Sequence, residues 1–145
     1  GAPNRNFVPR WIDRFGIQDR VTFTGKIPLE QLVELYSRTE VAVCPSLYEG
    51  FGFPAAEAMA CEVPVIAATG GALPEVVGEH MKTGYLVPPR DPEALAKGID
   101  YLIDNPDIRR KMGKDARKRV LATFTWENAA REMVKVYEEV IRAHR

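Results

Sequence analysis

Residues 46–71, SLYEGFGFPAAEAMACEVPVIAATGG, run from a glycine-broken loop through a stretch of small residues and an apolar segment to a second glycine loop. Gly50 and Gly52 open backbone conformations closed to other residues, and Pro54 suits the first turn of a helix. The spacing predicts a helix over Pro54–Ala60 and a short strand over Val65–Ala67. Loop, helix, strand and loop in this order are one step of an α/β fold built on a parallel sheet. Two glutamates, Glu49 and Glu57, flank the predicted helix start.

The same alternation extends in both directions. Upstream, Phe7, Val8, Trp11, Ile12 and Phe15 follow a helical stripe that stops at Gly16, a residue suited to a left-handed cap. Val21–Phe23 reads as a strand, Leu29, Leu32, Val33 and Tyr36 as a helix, and Val41–Cys44 as a buried strand. Downstream, a short helix is expected over Pro74–Val77 and a fourth strand over Tyr85–Val87. Asp91 and Pro92 then start a helix carrying Leu95, Ile99, Leu102 and Ile103, and Asn105 with Pro106 repeats the device. Thr125 caps a last helix whose Trp126, Ala130, Met133, Tyr137 and Ile141 form a stripe read as packing surface. No internal repeat or low-complexity linker divides the 145 residues, so one domain, 1–145, is expected.

Composition limits the function. Lysines and arginines number 20, as do aspartates and glutamates, so no global field draws the chain to nucleic acid or to an acidic membrane. No apolar run has the length of a transmembrane segment, and a cytoplasmic location is expected, with the inner membrane face as a variant. Cys44 and Cys61 lack CxxC spacing and nearby histidines, and are assigned to core packing. His80, in GEHMKTG, reads as a solvated loop histidine, so no metal site is expected. The basic segment RRKMGKDARKR, 109–119, reads as a solvated helix face, with phosphate or anionic lipid contact as the alternative.

The chemistry lies at the two glutamates. A glycine loop entering a helix presents unpaired N–H groups and the positive end of the helix dipole, which favour phosphate or a sugar oxygen. Glu49 follows the strand at 41–44, at the end of the sheet where open α/β folds bind ligands. A carboxylate accepts hydrogen bonds from vicinal hydroxyls, so Glu57 can hold a ribose while Glu49 meets a second sugar across the phosphates. The plainer alternative makes Glu49 a solvated loop residue and Glu57 a complement to the helix dipole. No GxGxxG opens a strand-to-helix turn, which disfavours a dinucleotide oxidoreductase.

On these residues the sequence resembles the retaining GT-B glycosyltransferases of the group 1, or family 4, type, related to glycogen and sucrose synthases. Glu49 and Glu57 match the Glu-x7-Glu motif, followed by a small-residue helix, a Pro-Val-Ile strand and the loop Thr69, Gly70, Gly71. FTGKIP, GYLVPPRDPEALA and FTWENAA extend the likeness from about Val21 to the end. The resemblance implies a Rossmann-like parallel sheet with flanking helices, the distal part of a GT-B carboxyl-terminal domain. It implies that Glu49 binds the transferred sugar and supports catalysis there. Gly50, Phe51, Gly52 and Phe53 would contact sugar and phosphate, Glu57 the ribose, and Gly25, Lys26 and Ile27 would lie near the base. The donor would be a nucleotide-diphosphate sugar, with no metal or other cofactor, and the acceptor is left open.

The sequence also departs from the pattern. The family's domain opens with a strand, an Arg- and Lys-bearing loop, a helix and a second strand, and none of these precedes Gly1. The acceptor-binding amino-terminal domain, a partner in the family, is not in this sequence either, so the chain alone is not expected to catalyse transfer. A noncatalytic nucleotide-sugar-binding or assembly module is the alternative. The family strand order 3-2-1-4-5-6 puts both of those strands between Val21–Phe23 and Val41–Cys44. An intrachain rearrangement, further upstream residues or a homodimer would complete the sheet. Glu62 occupies a position where the family has glycine, and a left-handed, strained residue is expected there.

Overall fold

The computed structural model describes residues 7–144. The chain divides into two compact units, one ending at Leu32 and one starting at Val33. The first holds helix α1 (Phe7–Phe15), a 3-10 turn (Gln18–Arg20) and the start of α2 (Leu29–Ser37). Gly16 ends α1 with φ +62°, its N–H donating to the Asp13 carbonyl, and Trp11 stacks on Phe15 at 5.6 Å.

The second unit contains β1 (Ala42–Cys44), α3 (Phe53–Ala60), β2 (Val65–Ala68), α4 (Leu73–Val77), β3 (Tyr85–Val87), α5 (Pro92–Asp104), α6 (Pro106–Thr123) and α7 (Trp126–Ala143). The strands form a parallel sheet of order β1-β2-β3, with Ala42 opposite Val65 and Ile66 opposite Tyr85. All four β2 residues are buried, as a central parallel strand requires. Alternation along β2 feeds two cores. Val65 and Ala67 pack with Ala55, Met59, Leu73, Val76 and Val77 of α3 and α4. Ile66 and Ala68 pack with Val87 and with Leu102 of α5. Helix α6 serves both, giving Met112 to the second core and Ala116 and Val120 to the first.

The α/β class matches the sequence reading, and β1, β2 and β3 fall within a residue of the strands expected at Val41–Cys44, Val65–Ala67 and Tyr85–Val87. However, β1 is an edge strand with Val43 exposed rather than a buried one, and Val21–Phe23 does not form a strand. Val21 is extended, with φ −120° and ψ 126°, yet joins no ladder, and Phe23 is exposed. A β-forming stretch becomes a strand only where another strand pairs with it. The stripe on α7 also differs from expectation, because Trp126, Met133, Tyr137 and Ile141 all stay more than half exposed. Helical periodicity reports that a face is apolar and not what covers it.

Caps follow expectation at Asp91, whose carboxylate accepts from the Ala94 N–H at 2.9 Å, and at Thr125, whose hydroxyl accepts from the Asn128 N–H. Asn105 stands at the N-cap position of α6, where its carbonyl accepts from the Arg109 N–H, but its side chain makes no capping bond there. Its side-chain amide donates back to the Tyr101 carbonyl at 2.8 Å and closes α5 instead. Cys44 and Cys61 are free, half-buried and packed on the first core. His80 is exposed as expected, but it is not idle. Its Nδ1 accepts from the Leu86 N–H at 2.9 Å and its ring meets Tyr85 edge-on.

The basic segment is more than a solvated face. Arg109 donates to the carbonyls of Leu102 and Ile103 at the end of α5, Arg119 to those of Glu75 and Val76 in α4, and Arg117 to that of Ala60 at the end of α3. Each satisfies carbonyls that a helix end leaves unpaired and complements the negative end of its dipole.

Glu62 has φ +63°. The Val63 N–H donates to the Ala58 carbonyl and the Glu62 N–H to that of Met59, the pair of bonds of a Schellman turn, in which glycine is the usual left-handed residue. A Cβ on Gly113 of α6 would stand 2.0 Å from the Glu62 carbonyl oxygen, so α6 lies directly on this turn. Glu62→Gly removes the Cβ penalty and sacrifices only an exposed 3.8 Å pair with Arg117. The expected result is a stabilisation of up to about 1 kcal/mol, read as a higher urea midpoint at unchanged m value.

Candidate functional site

Three loops, 45–52, 69–72 and 88–91, leave the carboxyl ends of β1, β2 and β3, the edge where parallel α/β sheets receive ligands. The first two are joined. The Ala72 N–H donates to the Glu49 carbonyl at 3.0 Å, and Thr69 ties the second loop to β3 through the Val87 carbonyl at 2.9 Å. Gly71, at φ +59°, sits so close that a Cβ there would lie 2.3 Å from the Glu49 carbonyl oxygen.

Gly52 is the N-cap of α3 with φ +97° and ψ 49°, and a Cβ on it would strike Leu73 at 2.8 Å. Its carbonyl accepts from the N–H groups of Ala55 and Ala56, which starts the helix. The N–H groups of Gly50, Phe51, Gly52 and Phe53 have no acceptor among the described residues. Consecutive unpaired donors at the positive end of a helix are suited to an anion or to polarised sugar oxygens.

Glu49 precedes these donors in the chain and Glu57 follows them on α3. Glu49 is half-buried, and its Oε1 accepts from the Ser46 hydroxyl at 2.7 Å. Glu57 is exposed on α3 and accepts no hydrogen bond among the described residues. Burial raises the Tyr36 hydroxyl above its ordinary value of 10.0, with Glu57, Cys44 and Cys61 adding to the effect. That hydroxyl donates to the Pro54 carbonyl at 3.3 Å, fastening the carboxyl-terminal half of α2 to the first turn of α3.

Beside Glu57 lies a hollow of about 470 Å³, lined by Phe51, Phe53, Phe124 and Trp126 among others. Phe51 meets Phe53 at 4.8 Å and Phe124 edge-on at 5.4 Å. Gly25, Lys26 and Ile27 belong to the amino-terminal unit, where Gly25 has φ +60°, Lys26 forms a bend and Ile27 is half-buried. Ser46 and Ala72 escaped the sequence reading. A serine three residues before a loop glutamate is a recognisable local hydrogen-bonding pattern, whereas the Ala72 contact depends on two loops meeting. Among the described residues, no group of three or more His, Cys, Asp or Glu is placed to hold a metal ion.

Comparison with known proteins shows the family. The family described as glycosyl transferases group 1 matches residues 1–119. The chain belongs to the group 1 glycosyl transferases. It is 42% identical over 130 residues to an MMP alpha-(1->4)-mannosyltransferase of Mycolicibacterium hassiacum, covering 90% of this chain and 32% of the relative. Among solved structures, sucrose-phosphate synthase from Thermosynechococcus elongatus superposes with a TM-score of 0.84 at 43% identity, over 94% of this chain and 34% of that one. Anabaena HepE in complex with UDP-glucose superposes with a TM-score of 0.82 at 25% identity, over 91% of this chain and 36% of that one.

The chain thus spans about a third of the length of the proteins it matches. The homologues are retaining GT-B glycosyltransferases, and the three-stranded parallel sheet with its flanking helices matches their carboxyl-terminal domain. No described helix is long and apolar enough to cross a membrane.

In this group 1 glycosyltransferase chain, Cys44 lies where both burial and the Glu49 carboxylate act on its thiol. Burial first, and the Glu49 carboxylate second, push the thiol above its ordinary value of 9.0. The neutral thiol is favoured in the fold, so the stability linked to Cys44 is complete below the ordinary thiol value. It is lost as pH rises through the raised one. Glu49→Gln is expected to speed alkylation of Cys44 by iodoacetamide near pH 9, with Cys61 replaced by Ser so that one thiol is read. An unchanged rate would mean that the Glu49 charge does not act on Cys44.

Proposed function

We propose that this chain is the distal part of the donor-binding domain of a retaining glycosyltransferase, both units belonging to one domain, and that it holds a nucleotide-diphosphate sugar at residues 49–57. The observation that carries the reading is the run of unpaired N–H groups from Gly50 to Phe53, bracketed by two carboxylates that retain free acceptor oxygens. The diphosphate takes the N–H groups and the dipole of α3, which offset the charge that grows on the leaving group as the glycosidic bond breaks. Glu49 accepts hydrogen bonds from the transferred sugar and faces its oxocarbenium-like centre as electrostatic support, without a covalent bond to it. Glu57 holds the ribose diol. Gly25, Lys26 and Ile27 are assigned to the side of the base, and the acceptor belongs to the remainder of the parent enzyme.

The HepE complexes with UDP and with UDP-glucose support uridine nucleotides as the first ligands to test. Without the rest of the parent, the chain is expected to bind but not to transfer. This reading gives the diphosphate main-chain N–H groups and a helix dipole, so binding should not depend on a metal ion. Calorimetry with UDP and UDP-glucose provides the test. Glu57→Ala is expected to weaken both ligands by about tenfold, the size of one or two hydrogen bonds to a charged group. Glu49→Ala should weaken UDP-glucose by a similar factor and leave UDP nearly unchanged. Equal losses for both ligands in both variants would contradict this division of roles.

A location in the cytoplasm, at the inner membrane face when the acceptor is a lipid, fits a cytosolic nucleotide sugar. Self-association of the isolated chain also follows. Strand β1 pairs only with β2 among the described strands, Val43 is exposed, and α7 leaves its apolar stripe in solvent. Light scattering across a dilution series should show a mass near twice that of the chain at high concentration. A monodisperse 16.2 kDa species throughout would exclude the dimer.

A further inference from the structure

The glutamate loop is held almost entirely by backbone. On one side of it Gly70 stands so near that a Cβ would lie 2.7 Å from the Ser46 carbonyl oxygen and 2.5 Å from that of Leu47. At its end the Ala72 N–H binds the Glu49 carbonyl, and Gly71 closes against the Glu49 main chain. These contacts fix where the Cα of Glu49 lies and leave its three side-chain torsions free. One side-chain contact then determines where the carboxylate points. The Ser46 hydroxyl donates to Oε1 at 2.7 Å in a half-buried setting, and Oε2 has no partner among the described residues. Glu49 has no arginine, lysine or histidine within ion-pair distance among the described residues, so no competing cation pulls it elsewhere.

We propose that Ser46 is a positioning residue for sugar recognition, fixing the Glu49 carboxylate through Oε1 so that Oε2 is presented to the hydroxyls of the transferred sugar. The proposal rests on the reading of residues 49–57 as a nucleotide-sugar site and adds a residue to it. A serine hydroxyl suits the task because its single proton goes to the carboxylate and it brings no charge that would compete with the sugar. A hydrogen bond to an ionised acceptor is also stronger and more directional than a neutral one. The raised Cys44 thiol agrees with a Glu49 charge held toward the end of β1.

The test uses calorimetry with UDP and UDP-glucose on the wild-type chain and on Ser46→Ala, Ser46→Thr, Glu49→Ala and the Ser46→Ala/Glu49→Ala double variant. Ser46→Ala is expected to weaken UDP-glucose by about five- to tenfold while UDP stays within about twofold. Ser46→Thr, which keeps the hydroxyl, should restore most of the affinity. The double variant should bind UDP-glucose no worse than Glu49→Ala alone, because Ser46 acts through Glu49. Equal weakening of both ligands by Ser46→Ala, failure of threonine to restore binding, or additive losses in the double variant would overturn the proposal while leaving the nucleotide-sugar site standing. A wild-type chain that binds neither ligand would overturn that site and the role of Ser46 with it.

Discussion

Burial of β2 on both faces is the constraint on which the second unit is built. A strand of four residues with no exposed face must be covered twice, and its alternation sends Val65 and Ala67 to α3 and α4 and Ile66 and Ala68 to α5. Covering both faces with helices obliges the chain to return to the same edge after each strand, so every strand runs parallel and every loop that follows a strand opens at one end. The Glu49 loop and the Thr69–Gly71 loop are therefore neighbours before any ligand chemistry is considered. Their closeness then demands glycine at Gly70 and Gly71, because a side chain at either would enter the backbone of residues 46–49.

The sequence made that edge legible because its signals are local. Gly52 before Pro54, Asp91 before Pro92 and Thr125 before Trp126 each specify a helix start within a few residues, and all three helices start there or within a residue. Glu62 was legible for a different reason, since the resemblance puts a glycine position after the motif helix, and the residue there is left-handed although it is a glutamate. What stayed hidden depends on distant partners. Val21–Phe23 has the composition of a strand and no strand beside it, and α7 has an apolar face and nothing described upon it. Asn105 looked like a cap for the helix after it and serves the helix before it, a choice decided by the geometry of the α5–α6 corner.

At the candidate site, the two glutamates and the glycine loop were readable because loop and helix are consecutive in the chain. The Ser46–Glu49 hydrogen bond is also local, three residues apart, but spacing does not say that the serine hydroxyl turns to the glutamate rather than to the backbone. Tyr36 was counted as part of an apolar stripe, and its hydroxyl nevertheless fastens the first turn of α3. In each case the missed element is polar, and its partner is a backbone carbonyl or a carboxylate that sequence spacing does not reveal.

The arginines of α6 carry a further consequence. Arg109, Arg117 and Arg119 direct their guanidinium groups at main-chain carbonyls of three different helices, so the segment that looks most available for binding polyanions has largely spent its donors within the fold. Carbonyl partners do not titrate and carry no net charge, and one contact each of Arg109 and Arg119 is partly buried, so acid and added electrolyte should loosen these contacts less than they loosen the exposed ion pairs on the same helix. Helix α6 thus behaves as a clasp whose hold is insensitive to the ionic medium. At Arg119, where Nε and Nη2 reach the successive carbonyls of Val76 and Glu75, lysine has one compact ammonium in place of the planar fork, so the two bases are not interchangeable there.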